Sequence, residues 1–426
     1  MRLELVTVGT ELLLGFTHDT NAADIAQALA AVGGIIDRRA TVGDDHAQIH
    51  DAVSQALERT RFVVVTGGLG PTRDDVTKRA VAELFGAPLE LDEAYLETLR
   101  ERFARFGRGP MPPSNRSQAE VPRGATVLPN PRGTAPGLWL EGTPGVAVLL
   151  PGVPHEMRGL LAEQVVPRVR ARIAEDGGAA RVTLSRALRT SGIGESALAD
   201  LLTEVEPRLP PITLAYLPQL AGVDLRLTAW RLPPAEAGLA LERAAEALRA
   251  ALGRHLYGEG DTALATVVLD LLRARGYQLA LAESCTGGLV GAAITSVPGA
   301  SATFLGGIVS YADVSKVRDL GVDAALIERH GAVSQEVALA MADGAAKRFG
   351  VAAAAAVTGI AGPGGGTSEK PIGTVCLAAR VGPLRRTVRR WLPGDRLFVR
   401  ERSVQAVLDL VRRLLLEEAD TEGGSG

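Results

Sequence analysis

Gln278-Leu-Ala-Leu-Ala-Glu-Ser-Cys-Thr-Gly-Gly288 is an apolar run of strand length that ends on an acid, a serine and a pair of glycines. The pattern predicts a strand over 278–282, a tight turn carrying Ser284 and a helix departing from Thr286. A serine at such a corner exposes its oxygen. The unpaired backbone N–H groups of a helix start, with Cys285, Thr286 and Gly287 as candidates, can stabilise an oxyanion there. The glycines let a substrate approach the backbone closely. A serine that merely caps a helix leaves the same trace, so Ser284 takes its meaning from what surrounds it.

Outward from that corner the chain alternates. Helix 263–275 precedes it, and strand 304–311, helix 334–349, strands 352–358 and 373–380 and helix 397–416 follow, the pattern of an independent α/β domain. Tyr311 and Lys316 sit just past strand 304–311, so a hydroxyl and an amine arrive together. An amine deprotonated by burial or by neighbouring cations can activate a serine without any histidine. A lysine at this spacing also fits a solvated helix face. Val357-Thr-Gly-Ile-Ala-Gly-Pro-Gly-Gly-Gly closes another apolar strand and is a loop able to wrap an anion or a ribose, or a plain surface turn. Arg396 and Arg400, one helical turn apart, suit a phosphate, and spacing leaves open which of them meets it.

The first half alternates too, with strands 3–8, 62–66 and 146–150 between amphipathic stretches 21–32 and 46–59, which predicts a doubly wound parallel sheet. Ligands of such sheets sit at the carboxyl ends of the strands. There lie Gly9 and Thr10, then Thr66, Gly67, Gly68, Gly70, Pro71 and Thr72, offering N–H groups and hydroxyls to phosphate. Glu11, Asp74 and Asp75 are oxygen ligands for a hard divalent cation, or simple caps and dipole partners at a helix start. Residues 108–116, rich in proline, predict a stiff surface loop. Strands 182–189, 212–216 and 223–230 with helices 194–205 and 234–252 make a small α+β unit between the two halves.

At 426 residues the chain is too long for one core, and we divide it at 1–171, 172–257 and 258–420. A net charge of −3 spread over interleaved acids and bases gives no strong pull toward nucleic acid or anionic membrane. No apolar run reaches the roughly 20 residues a membrane span needs, and no leader precedes strand 3–8, so the cytoplasm is the default. Cys285 and Cys376 lack metal-ligand spacing and are read as reduced core thiols.

Residues 282–288, Tyr311-x-x-x-x-Lys316, Thr358-Gly-Ile-Ala-Gly-Pro363 and Gly394-Asp-Arg396, in this order, resemble the carboxy-terminal domain of the CinA family, the nicotinamide mononucleotide (NMN) deamidases, over about 260–417. The resemblance implies attack of Ser284 on the carboxamide of NMN, with Lys316 as base and Tyr311 assisting. It places Thr358 and Gly359 at the pocket, sets Arg396 by preference on the 5′-phosphate, and implies no cofactor. Gly9-Thr-Glu-Leu-Leu-Leu-Gly15, Thr66-Gly-Gly-Leu-Gly-Pro-Thr-x-Asp-Asp75, Asn130-Pro-x-Gly133 and Leu150-Pro-Gly-Val-Pro resemble the MoaB/Mog-like, molybdopterin-binding fold at the amino terminus of CinA proteins. That resemblance implies ADP-ribose pyrophosphatase activity with a divalent metal (Mg, Mn or Co), Asn130 and Gly133 near the phosphates, and an acid at Asp44. The middle unit resembles the KH-like domain of the same family through Gly192-Ile-Gly-Glu-Ser196, without a basic Gly-x-x-Gly loop. Homodimerisation is implied as well. Two other readings stay open: a non-catalytic nucleotide- or pterin-binding module at the amino terminus, and a protein partner in competence or recombination.

Overall fold

The structure, a computed structural model, describes residues 1–105, 109–175 and 181–423. The chain forms two compact units, Met1–Leu184 with Ala229–Ala240, and Ser185–Thr228 with Leu241–Gly426. Among the described residues no helix is long and apolar enough to cross a membrane.

In the first unit Phe62–Thr66 is apolar at successive positions because both its faces are covered. Phe62 and Val64 join one core layer and Val63 and Val65 the other. Helices Asn21–Ala30, Pro154–Leu160 and Val166–Glu175 supply the first layer, His46–Thr60 and Thr77–Leu84 the second. The six strands run in the order Ile35–Val42, Arg2–Val8, Phe62–Thr66, Gly145–Leu150, Gly137–Gly142 and Thr126–Leu128. The first three pairings are parallel and the last two antiparallel, which corrects the all-parallel expectation. For the first antiparallel pairing the cause is local: the two-residue Thr-Pro turn at 143–144 folds Gly142 back onto Gly145, whereas a parallel partner needs a crossover. The proline-rich segment is also corrected, since Pro113–Ala119 forms a 3-10 helix with Asn115 and Gln118 buried. Arg108 lies outside the described residues.

The second unit holds a five-stranded sheet ordered Phe304–Val309, Leu279–Glu283, Ala353–Gly359, Thr374–Val381 and Leu384–Trp391. The first three strands are mutually parallel and the last two antiparallel. One face offers Ala280, Ala282, Ala354 and Ala356 to the alanine-rich helix Gln335–Phe349. Small residues on both sides bring the helix close. Gly344 lets the same helix meet the end of helix Asp313–Leu320, because a Cβ there would fall 2.0 Å from the Leu320 carbonyl oxygen. The other face buries Leu281, Val357 and Leu377 under Leu264–Ala274 and the carboxy-terminal helix Arg396–Gly423.

The α+β expectation for the middle of the chain holds as a four-stranded sheet, ordered Ile212–Pro218, Val223–Leu232, Val182–Thr190 and Leu256–Glu259. A buried polar knot ties its Ser191 turn to the last helix. The Asp409 carboxylate accepts from Ser191 Oγ at 2.7 Å, from Arg412 Nη2 at 2.7 Å and from Arg413 Nε at 2.7 Å. Arg412 also donates to the carbonyls of Arg254 and Leu256.

Candidate active site

Strand Leu279–Glu283 is buried throughout and delivers Ser284 between two parallel neighbours. Ladder bonds continue the pairing one residue past the strand end. Ser284 N donates to Val357 O at 2.9 Å and Ser310 N to Glu283 O at 2.8 Å. Ser310, Ser284 and Thr358 thus lie in a row at the carboxyl ends of three adjacent strands. Side chains alternate along a strand, so all three share the face that carries Ala282, Ile308 and Ala356. Ser284 keeps 7% of its surface exposed.

The turn after Ser284 is longer than the sequence predicted, for the helix begins at Leu289 rather than Thr286. Gly287 and Gly288 take positive φ values of 60° and 97°, and Gly287 N bonds back to Ser284 O. Glu283 supplies the physical reason. Its buried carboxylate accepts from Gly288 N at 2.9 Å, Val290 N at 3.1 Å and Gly291 N at 2.9 Å, so it captures the orphan donors of the helix start. The sequence reading passed over Glu283. Its signal was an acid ending an otherwise apolar strand just ahead of a helix start.

The Cys285 and Thr286 N–H groups donate toward the buried Cys285 thiol, and Gly287 N, committed to Ser284 O, drops out as an oxyanion donor. Arg400 fixes this peptide stretch by donating to Cys285 O at 3.1 Å and Thr286 O at 2.8 Å. In a trans peptide the carbonyl and the next N–H point opposite ways, so holding Cys285 O aims Thr286 N–H away from Arg400. Arg400 is therefore a positioning group, with Nε and Nη2 committed. The Cys285 thiol is pushed up to about 12 by burial and stays protonated and inert. Both cysteines are free and buried.

Lys316 is 1% exposed and donates to Ser310 O at 3.1 Å, Tyr311 O at 3.3 Å and Asp313 Oδ1 at 3.3 Å. The structure brings it to Ser310, at the end of the strand next to that of Ser284, without a direct hydrogen bond to Ser284. Tyr311, 57% exposed, turns its hydroxyl away from Lys316 to accept from Arg396 Nη2 at 2.7 Å. Arg396 Nη1 holds Gly362 O at 2.7 Å, so it straps the tyrosine to the glycine loop. Thr358 Oγ1 donates to Ala332 O, and Gly359 packs so tightly that a Cβ would lie 3.1 Å from Cys285 Sγ.

In the first unit, Gly9 and Gly67 follow the ends of neighbouring strands. A Cβ on Gly67, at φ 109°, would fall 2.1 Å from Val8 O, one on Gly68 would fall 2.1 Å from Thr77 Oγ1, and one on Gly70 would fall 2.5 Å from Asp75 Oδ2. Much of the predicted polar set braces loops. Thr66 Oγ1 donates to Pro151 O, Thr10 N to Asp44 Oδ2, and Thr72 N to Asp75 Oδ2 beside Pro71. Asn130 Nδ2 donates to Ala135 O and Glu156 Oε2, and Gly133 lies against that same Glu156 carboxylate. A hydrogen bond from Thr72 lowers the Asp74 carboxyl. Glu11, Asp74 and Asp75 do not converge: among the described residues no three His, Cys, Asp or Glu side chains form a metal-binding group. The donors present do not fit a ready cation cage. Asn130 also lines a cavity of about 480 Å³ with Tyr95, Thr98 and Arg102, and Arg102 Nη1 finds no acceptor there. The sequence also passed over Lys78, a buried amine held by Ser117 O and Glu120 O, whose burial lowers it to about 8.

Family models match the chain in series: a probable molybdopterin binding domain over 4–171, the damage-inducible protein CinA KH domain over 185–258 and the CinA C-terminal domain over 261–415. Those modules on two mixed sheets define the class, an α/β protein with a molybdopterin-binding-like first domain and a KH domain ahead of a separate α/β domain. A CinA-like protein of Gemmatimonas aurantiaca is 51% identical, with 98% of this chain and 97% of that protein covered. A putative competence-damage inducible protein of Symbiobacterium thermophilum is 47% identical over 99% of this chain and 100% of its own. A solved CinA structure from Thermoplasma acidophilum is 35% identical, with 41% of this chain and 96% of that one covered, at a TM-score of 0.35. The chain belongs to the CinA family.

If Glu283 organises the turn, Glu283→Gln is expected to cost about 1–3 kcal/mol, since a neutral amide cannot accept all three N–H groups as a carboxylate does. Urea denaturation of the variant checks this. An unchanged midpoint would show that the capture contributes nothing.

Proposed function

We propose that the carboxy-terminal domain is an amidohydrolase that converts NMN to nicotinate mononucleotide and ammonia. The observation that carries this reading is a serine, buried but for 7% of its surface, set at a tight turn past a strand end, with a buried lysine amine held at the adjoining strand end. Ser284 Oγ attacks the carboxamide carbon while its proton passes to Lys316 as general base. The carbonyl electron pair moves to oxygen. The tetrahedral intermediate collapses, expelling ammonia with the proton returned by Lys316, and leaves an acyl ester on Ser284. Water, deprotonated by the same amine, then releases the carboxylate. The exposed Arg396, at the glycine loop, is the group a 5′-phosphate would meet.

The test is equimolar ammonia and nicotinate mononucleotide from NMN with the full chain, and a much higher KM for the riboside that lacks the phosphate. Untouched NMN would refute the assignment.

For the first domain we propose binding of a nucleotide diphosphate such as ADP-ribose. The unpaired Arg102 nitrogen in a cavity large enough for a small ligand supports an anionic guest. No step is routed through a metal, because the carboxylates do not gather around one. AMP release from ADP-ribose on adding a divalent cation, abolished by Asp75→Ala, would extend binding to turnover. Calorimetric binding without AMP would leave a binding module.

A further inference from the structure

We propose that Ser310 relays the proton between Ser284 and Lys316; the proposal rests on the serine-hydrolase reading of this site. Among the described residues the direct Ser284–Lys316 hydrogen bond that a simple dyad needs is absent, and the backbone of Ser310 adjoins both residues. It neighbours Ser284 across the parallel ladder on the same sheet face, and its own carbonyl oxygen receives Lys316 Nζ at 3.1 Å. Adjacent strands lie about 4.8 Å apart, a span that rotation about one χ1 shortens to hydrogen-bond distance. Ser310 is fully buried, and its Oγ has no hydrogen-bond partner among the described residues. A buried, unsatisfied hydroxyl costs free energy, and one on the residue whose backbone adjoins both nucleophile and base calls for a role.

The step balances as a concerted transfer. Ser284 Oγ gives its proton to Ser310 Oγ as it bonds to the carbonyl carbon, and Ser310 Oγ gives its own proton to Lys316 acting as the base. Ser310 ends as it began, and Lys316 ends as an ammonium. When ammonia leaves, Lys316 gives the proton to Ser310 Oγ as Ser310 Oγ gives its own to the departing nitrogen, and Ser310 again ends as it began. A hydroxyl that both donates and accepts can do this, whereas a methyl cannot.

The experiment reads the nucleophile itself, so it does not depend on the natural substrate. A fluorophosphonate that phosphonylates active-site serines is reacted with the full chain, and the rate of labelling at Ser284 is followed by mass spectrometry. Ser310→Ala is expected to slow labelling by about 100-fold or more, the range of general acid–base contributions. Its melting temperature should equal or exceed that of the parent, because only an unpartnered hydroxyl is lost. Ser310→Thr, which restores the hydroxyl, should recover most of the rate. Labelling in Ser310→Ala within about threefold of the parent overturns the relay, since that falls far short of such a contribution. If the alanine variant fails to fold, a solvent-isotope proton inventory on the parent decides: a curved plot supports two protons in flight and a straight one overturns the proposal. A parent that labels at Ser284 but leaves NMN intact sinks only the substrate assignment. A parent that does not label sinks the nucleophile and the relay together.

Discussion

Ser284→Ala is expected to lower ammonia release from NMN by about 10⁴-fold or more, the scale seen when a catalytic nucleophile is removed. Lys316→Met should cost about 10²–10⁴-fold, as expected for loss of the acid–base group. The two variants differ in what they do to the fold. Ser284 has no side-chain partner in the structure, so its alanine variant should melt with the parent. Lys316 is buried and donates to two carbonyls and to Asp313, and methionine would leave Ser310 O and Tyr311 O without that donor. A stability loss of about 1–3 kcal/mol should accompany the catalytic one. Stopped-time ammonia assays paired with thermal melts separate the two effects, and an Ser284→Ala enzyme that still turns over at a tenth of the parent rate would remove the serine from the chemistry.

The largest expected effect on stability lies in the knot at Asp409. Arg412 is almost wholly buried, and its charge is balanced by Asp409 and spread over carbonyls from 254 and 256. Asp409→Ala should destabilise by about 3–5 kcal/mol, because it strands a buried guanidinium. Burial raises the Asp409 carboxyl, but Arg412, Ser191 and Arg413 outweigh it, and the net pKa is lowered. The folded state then binds fewer protons than the unfolded chain, whose aspartate titrates near 3.9. This stabilisation is complete above about pH 4 and drains away as the pH falls through the lowered folded value. Urea midpoints taken from pH 6 to pH 2 should therefore fall more steeply for the parent than for Asp409→Asn. Parallel profiles would show that Asp409 does not titrate with folding.

The strand that presents Ser284 was legible because burial on both faces leaves a continuous apolar run and glycines end it abruptly. The row of strand ends was readable for the same reason, whereas the lysine-bearing helix Asp313–Leu320 was not, because its sequence has no continuous apolar run. The antiparallel additions were harder. Leu384–Trp391 carries four arginines on a largely exposed edge, so no apolar run marks it as a strand. The detailed wiring was not legible either. Nothing in the spacing of Arg396 and Arg400 says that one straps Tyr311 and the other holds the carbonyls of Cys285 and Thr286, since both contacts arise from chain returning after more than 80 residues. The carboxylates Glu11, Asp74 and Asp75 show the converse failure. Asp75 is spent on its own turn, where it accepts from Thr72 N, while Glu11 sits on the separate short helix Thr10–Leu13.

The most direct test of the account is an acid-quenched single turnover of NMN, with the enzyme digested and the peptide containing Ser284 weighed. The mechanism predicts a transient ester on Ser284 with the mass of nicotinate mononucleotide less water, absent from Ser284→Ala. Turnover of NMN with no adduct at any time point, or an adduct on another residue, would contradict it.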